Sequence, residues 1–208
     1  MIKSYLIKNY GYNEPIFLND LKIEGLSENA VRQSVKRLVA KGFLERYDSG
    51  IYYIPKQSTL LGKSYLDPEL VVMRKYVRSK FETFGYVTGM SFVNQLGLTT
   101  KMPAVIEIVT NREATNGRTI TIGTQQVRIK KATVTVSNNN AELLQLLDCI
   151  GQAEKYTELS MEETIDKMLL YVKQKRFTKE QLSEVSAAIT GATAKKLIEW
   201  GVIYEFAS

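Results

Sequence analysis

The chain has 208 residues, of which 44% are hydrophobic, so it can bury a core in one or two domains. It contains no histidine and one cysteine, which excludes histidine-based catalytic triads, histidine-based zinc sites and an internal disulfide framework. The 28 Lys and Arg residues outnumber the 22 Asp and Glu residues, and the resulting net charge of +6 favours a partner that carries phosphates. We therefore expect a binding protein rather than an enzyme, with no cofactor and no metal.

The apolar runs of the sequence are too short to cross a membrane, and its first residues do not follow the pattern of a signal peptide. These features predict a cytoplasmic protein without a membrane partner. The single cysteine, Cys149, lies in an apolar run and is predicted to be a small buried side chain.

The first 56 residues show the element order of a winged helix-turn-helix. Residues 4–9 and 14–21 suit two short helices, and a longer helix begins after Ser27, a good N-cap. This longer helix ends at Gly42. Its apolar side chains recur at helical spacing, at Val31, Val35, Leu38 and Val39. A hairpin with its turn at residues 48–50 follows and predicts the wing.

The polar face of the longer helix predicts DNA binding. Its side chains are of the types that read base edges and bind phosphates, and they recur at i, i+3, i+4, i+7 and i+8: Asn29, Arg32, Gln33, Lys36 and Arg37. In the wing, Arg46, Tyr47 and Ser49 are placed to reach the backbone or the minor groove, and Tyr12 and Asn13 to contact phosphate.

Two other interpretations of this face stay open. A charged helix face is often only solvated, but such a face usually mixes acids with bases. Residues 29–41 contain four basic residues and no acid, which favours DNA contact. Winged helices also serve as protein-interaction modules, and the composition does not separate that role from DNA binding.

The rest of the chain predicts an α+β domain. Residues 57–63 are polar and predict a linker, and residues 64–208 predict the second domain. A helix starts at Asp67 and Pro68 and presents a basic face with Arg74, Lys75, Arg78 and Lys80. A helix over residues 89–96 is followed by strands at residues 105–110 and 118–122. Residues 126–132 and 133–137 then form one long strand or two short ones, and together these strands predict a small antiparallel sheet. Residues 138–153 return to helix.

Residues 156–208 predict a helical segment. Helices are expected at residues 161–175, 178–190 and 192–200, followed by a short strand at residues 202–206. The stretch KKLIEWGVIYE at residues 195–205 aligns without gaps to KRLVAKGFLER at residues 36–46. This likeness indicates either a degenerate second helix-turn-helix or the common way in which a helix leads into a strand.

Several catalytic motifs are absent. The sequence has no Walker A loop, no dinucleotide-binding glycine motif, no nucleophile elbow and no nucleotidyltransferase acid pair after a Gly-Ser. Thr99, Thr100 and Lys101 suit anion binding, with an ordinary surface loop as the alternative interpretation.

The run LGLTTKMPAVIEIVTN at residues 96–111 follows a predicted helix and precedes a glycine-containing hairpin. In this run, in length and in element order, the chain resembles AbiEi-type antitoxins. The resemblance covers nearly the whole sequence. It implies a winged helix followed by an α+β antitoxin domain, as in a type IV toxin–antitoxin system.

The resemblance implies a repressor that binds inverted repeats in the double-stranded operator DNA of its own operon. It further implies neutralisation of a co-encoded nucleotidyltransferase-like toxin without a stable direct complex. It carries over no residue for neutralisation, and we take four basic positions as the antitoxin surface: Arg74, Lys75, Arg78 and Lys80. Two alternatives remain, a one-component regulator whose second domain senses a small molecule, and an enzyme or toxin.

Overall fold

A computed structural model describes residues 2–58, 62–115 and 117–207. The fold is mixed α+β and divides into two compact units. The first unit runs to Arg74 and also contains Ile122–Gln125, and the remaining residues form the second. The predicted domain bounds remain a prediction.

The first unit contains the helices α1 (Ile2–Asn9) and α2 (Glu28–Ala40) and a three-stranded antiparallel sheet. The sheet has the order β1–β3–β2, with the strands β1 (Ile16–Phe17), β2 (Glu45–Asp48) and β3 (Ile51–Tyr53). Its core consists of buried apolar side chains from both helices and the sheet, among them Leu6, Ile16, Val31, Val35, Leu38 and Leu44.

Local sequence explains the bounds of α2. The Ser27 hydroxyl accepts a hydrogen bond from the Ala30 amide at 3.3 Å and so satisfies one of the unpaired donors of the first turn. At the other end, Gly42 adopts φ 68°, a left-handed conformation that glycine reaches without strain. The helix predicted after Ser27 is therefore confirmed.

The helix predicted at residues 14–21 is wrong. Ile16 and Phe17 form β1 and pair with Tyr52 and Ile51 of the hairpin, and Leu18–Asp20 forms a single 3-10 turn. The apolar side chains at i, i+1 and i+5 suit a short helix, but pairing with the edge of β3 satisfies the backbone of this segment instead.

Two further strands, β4 (Gln57–Ser58) and β5 (Gly62–Lys63), pair antiparallel within the predicted linker. Residues 59–61 of that linker lie outside the described residues. The helix α3 (Pro68–Tyr76) follows.

The second unit contains a four-stranded sheet of order β6–β7–β9–β8. Its strands are β6 (Gly85–Thr88), β7 (Val105–Thr110), β8 (Arg118–Ile122) and β9 (Gln125–Lys131). Because β9 pairs in parallel with β7 while β6 pairs with β7 antiparallel, the sheet is mixed, and the predicted antiparallel sheet is wrong. The excursion through β8 returns the chain to β7 in the same direction, which is how a parallel pair arises here.

The helices of the second unit are α4 (Gly89–Gln95), α5 (Ala141–Tyr156), α6 (Met161–Lys175), α7 (Lys179–Glu184) and α8 (Gly191–Glu199). One apolar cluster joins the sheet to α4, α5 and the C-terminal helices. Cys149 is 2% exposed in this cluster, so its predicted burial is confirmed, and burial raises the pKa of its thiol to about 12.

Three predictions for this unit are corrected. Residues 133–137 form no strand, since their polar backbone groups bond to Asn111 and Asn140 side chains. The helix predicted at residues 178–190 breaks after Glu184 into a 3-10 turn, Ser186–Ala188. The strand predicted at residues 202–206 is a second 3-10 turn, Val202–Glu205.

None of the described helices has the length and apolarity needed to cross a membrane.

Candidate nucleic-acid interface

The polar face of α2 is exposed along its whole length. The side chains at Asn29, Arg32, Gln33, Lys36 and Arg37 all lie on the surface, whereas Val31, Val35 and Leu38 on the opposite face are buried. The 3.6-residue period of the helix separates the two faces, so burial of one presents the other. The structure therefore brings these five predicted residues together on one surface.

Among the described residues, no acid forms an ion pair with the cations of this face. In the described part of the chain, the side chains of Arg32, Lys36, Arg37 and Lys41 form no hydrogen bond and no ion pair. Arg32 also borders an open cavity of about 340 Å³ together with Lys22 and Glu28, and it forms no ion pair with that acid in the described part of the chain. Three unpaired cations on α2 and a fourth at its C-cap, Lys41, make a surface that attracts a polyanion.

The hairpin β2–β3 presents two of its three predicted residues. Arg46 and Ser49 are exposed, and the Arg46 Nε donates to the Asp48 carbonyl at 3.3 Å. Tyr47 is placed differently, because its hydroxyl is buried and has no hydrogen-bond partner among the described residues. A Cβ at Gly123 would lie 2.1 Å from that hydroxyl oxygen, which shows how closely the backbone approaches it. Burial raises the pKa of Tyr47.

Of the two predicted residues before β1, one is exposed and the other is held by hydrogen bonds within the fold. Tyr12 is 54% exposed. Asn13 adopts φ 55°, and its Oδ1 accepts hydrogen bonds from the Lys56 amide at 3.1 Å and the Ser64 hydroxyl at 2.5 Å. Asn13 thus holds the exit of the hairpin in place, and its side-chain oxygen is already engaged.

The four basic positions assigned to the antitoxin surface do not form one helix face. Arg74 binds the Glu14 carboxylate with two nitrogens, at 3.0 and 3.2 Å, so its charge is balanced. The Lys75 Nζ lies 5.4 Å from the centre of the Tyr76 ring. Because α3 ends at Tyr76, Arg78 and Lys80 lie beyond the helix, in a turn closed by Ser79 and Glu82. The predicted basic helix face at these positions is wrong.

The loop at Thr99, Thr100 and Lys101 does bind an anion, but the anion belongs to the chain. The Glu158 carboxylate accepts hydrogen bonds from the Thr99 hydroxyl at 2.7 Å and the Thr100 amide at 2.7 Å. It also pairs with the Lys101 ammonium at 3.3 Å. These bonds, led by the Thr100 amide, lower the pKa of Glu158 to about 2.

Sequence reasoning missed a polar cluster between α5 and the sheet. The Asp148 Oδ2 accepts hydrogen bonds from the Tyr86 and Thr88 hydroxyls, both at 3.1 Å. Burial raises the pKa of Asp148, although these two bonds oppose that effect. Nearby, the Lys130 ammonium donates to the Glu107 carboxylate at 2.5 Å. The sequence feature that could have revealed this cluster is Asp148 itself, an acid four residues after Leu144 on the buried face of a helix.

No group of three potential ligands among the described residues has the geometry of a metal site. A search of curated proteins finds no match to the chain. A family model described as a family of unknown function, DUF6088, matches residues 6–179. Because this match spans well over half of the chain, the protein belongs to the DUF6088 family.

Proposed function

We propose that the protein binds double-stranded DNA through α2 and the β2–β3 hairpin and represses transcription. The observation that carries the proposal is the exposed surface of α2 and its C-cap, where Arg32, Lys36, Arg37 and Lys41 have no partner within the described residues. Buried or balanced cations would serve the fold, whereas four exposed and unbalanced ones are suited to phosphates.

The order of side chains along α2 suits a helix in the major groove. Asn29, Arg32 and Gln33 occupy the first half of the helix, which is the part that contacts base edges in helix-turn-helix proteins. Their amide and guanidinium groups match adenine and guanine edges. Lys36 and Arg37 follow in the second half and are suited to the sugar–phosphate backbone.

The hairpin supplies the second contact. Arg46 and Ser49 are exposed near its tip, where a register shift between Arg46 and Asp48 increases the twist of the strand. In this proposal the segment Ile16–Asp20 takes the place of the second helix of a winged helix-turn-helix. We assign no DNA contact to the Tyr47 hydroxyl, which is buried, or to the Asn13 side-chain oxygen, which already accepts hydrogen bonds within the fold.

The resemblance to AbiEi-type antitoxins supplies the biological setting of the proposal. In that setting a cytoplasmic, non-enzymatic protein represses its own operon and neutralises a co-encoded nucleotidyltransferase-like toxin. Co-expression with the adjacent gene tests the second part. Rescue of growth would support an antitoxin, and toxicity of this chain expressed alone would contradict it.

A binding assay tests the DNA proposal. Fluorescence anisotropy with the DNA upstream of the gene should show sequence-specific binding that an unrelated duplex does not match. The Arg32→Ala/Lys36→Ala variant should bind at least about 100-fold more weakly, because it loses one base-reading and one phosphate-binding group. Circular dichroism checks that the variant is folded. Binding of the double variant with wild-type affinity would show that α2 is not the reading helix.

A further inference from the structure

One acid lies at the start of the basic surface of α2. Glu28 is the first residue of the helix and precedes Arg32 by four residues, and both side chains are exposed. Together with Lys22 they line the open cavity of about 340 Å³ beside the helix. Glu28 is the only acid in residues 28–41. A carboxylate at this place weakens the attraction of the surface for phosphates, so phosphate binding does not account for it.

The carboxylate of Glu28 is not used by the helix cap. In α6, the Glu163 carboxylate accepts a hydrogen bond from the Ser160 amide and completes a capping box. Glu28 directly follows the N-cap of α2 instead of standing three residues after it. Its spacing to Arg32 also suits an ion pair, yet its side chain forms no ion pair and no hydrogen bond with any described residue. The carboxylate and the guanidinium are therefore both available to a ligand.

The chemistry of a carboxylate in the major groove points to one base. A carboxylate only accepts hydrogen bonds, and the major-groove edge of cytosine presents the N4 amino donor without an acceptor. Adenine also presents an amino group, but its N7 acceptor lies beside that group and repels a carboxylate. In helix-turn-helix proteins the first residues of the reading helix contact base edges, and Glu28 holds this place in α2.

We propose that Glu28 determines part of the DNA specificity by accepting a hydrogen bond from the N4 amino group of one cytosine. Where that cytosine is absent, the carboxylate meets base acceptors and phosphates without a donor, so other sequences are disfavoured. Glu28 thus lowers binding to unrelated DNA while it selects one base pair. This inference rests on the proposed function, because it requires α2 to enter the major groove.

Selection from a randomised duplex DNA library tests the proposal with the full chain at one fixed salt concentration. The wild type should select a motif that contains a required C·G pair. Glu28→Gln should lose the preference for cytosine at that position or replace it with adenine, which glutamine binds through two hydrogen bonds. Glu24→Gln is the matched control and should select the wild-type motif. Glu24 is an exposed acid of the same unit that does not line the cavity.

Fluorescence anisotropy on the selected duplex measures the contact directly. Replacing the required C·G pair with T·A should weaken wild-type binding at least about tenfold and Glu28→Gln binding less than about threefold. On an unrelated duplex, Glu28→Gln should bind at least as tightly as the wild type, because a carboxylate is removed from the neighbourhood of the phosphates. This result would also show that the variant is folded.

The outcomes separate this inference from the proposed function. If the wild type selects no motif, sequence-specific DNA binding fails and the role of Glu28 fails with it. If the wild type and Glu28→Gln select the same motif, the role of Glu28 is overturned while DNA binding by α2 stands. A motif that changes equally in Glu24→Gln would also overturn it, since the effect would then be one of net charge.

Discussion

The helices α2 and α8 begin and end in the same way but differ in whether their basic side chains are paired with acids. Each begins after a hydroxyl cap, with Ser27 accepting from Ala30 and Thr190 accepting from Thr193. Each buries a leucine, Leu38 or Leu197, at the same place in the aligned stretches at residues 36–46 and 195–205. Each ends at a left-handed glycine, with φ 68° at Gly42 and φ 70° at Gly201.

The cations of the two helices have different surroundings. Lys195 pairs with Glu199 at 3.4 Å and Lys196 pairs with Glu154 at 3.2 Å, whereas the aligned Lys36 and Arg37 have no partner within the described residues. After the glycine, α2 leads into β2, and α8 leads into a 3-10 turn. A shared sequence pattern therefore specifies how the helix ends, while the acids around it decide whether its lysines are available to a ligand.

The largest expected effect separates the two helices directly. Lys36→Ala/Arg37→Ala should weaken binding to the upstream DNA by about 100-fold or more, since two phosphate-binding cations are lost. The matched variant Lys195→Ala/Lys196→Ala removes the aligned cations of α8 and should leave affinity within about twofold. Fluorescence anisotropy at one fixed salt concentration measures both. Equal losses in the two variants would mean that the effect is one of net charge rather than of the α2 surface.

The next effect tests the feature that the helices share. Gly42→Ala and Gly201→Ala should each lower stability by about 1–2 kcal/mol, because alanine is strained in the left-handed conformation. No atom lies within 4 Å of a Cβ at Gly42, and the nearest at Gly201 is 4.0 Å away, so conformational strain should account for both losses. Urea denaturation measures them. Gly191→Ala, in open space at the start of α8, is the control and should be neutral or slightly stabilising. A loss at only one of the two sites would show that the helix ends are not equivalent.

The smallest expected effect comes from making α2 resemble α8. Ala40 is exposed and aligns with Glu199, so Ala40→Glu places a carboxylate four residues after Lys36. We expect DNA affinity to fall about threefold to tenfold, with a shallower salt dependence, because Lys36 gains a competing anion. Ala40→Gln has the same size without the charge and should bind as the wild type does. Binding by Ala40→Glu that matches Ala40→Gln would indicate that Lys36 does not face the DNA.

Elements with strong local signals could be predicted from sequence. The cap at Ser27, the apolar stripe of α2 and the hairpin turn at residues 48–50 agree with the structure, since each depends on residues close in the chain. Ile16–Phe17 could not be predicted as a strand, because its partner β3 lies more than thirty residues away. The parallel pairing of β7 with β9 is also non-local, because its partners, such as Val105 and Gln126, lie 21 residues apart.

The residues of the candidate sites also differ in whether local sequence predicts their surroundings. The exposed face of α2 follows from helical periodicity alone. The engagement of Asn13 by Lys56 and Ser64, and the burial of the Tyr47 hydroxyl, depend on contacts between distant segments. The cluster at Asp148 required knowing that Tyr86 and Thr88 face α5, which periodicity within a four-residue strand does not reveal.

The Glu158 carboxylate held by Thr99 and Thr100 links the stability of the fold to pH. Its pKa is lowered from 4.5 to about 2, so the unfolded chain binds the proton more tightly than the folded one. The stabilisation from this contact is complete above the unfolded pKa and declines as pH falls from about 4.5 towards about 2. In an acid titration, Glu158→Gln should lack the loss of stability that this carboxylate causes as the pH falls. At neutral pH, the loop at residues 97–101 is held closed by an anion that the chain itself provides.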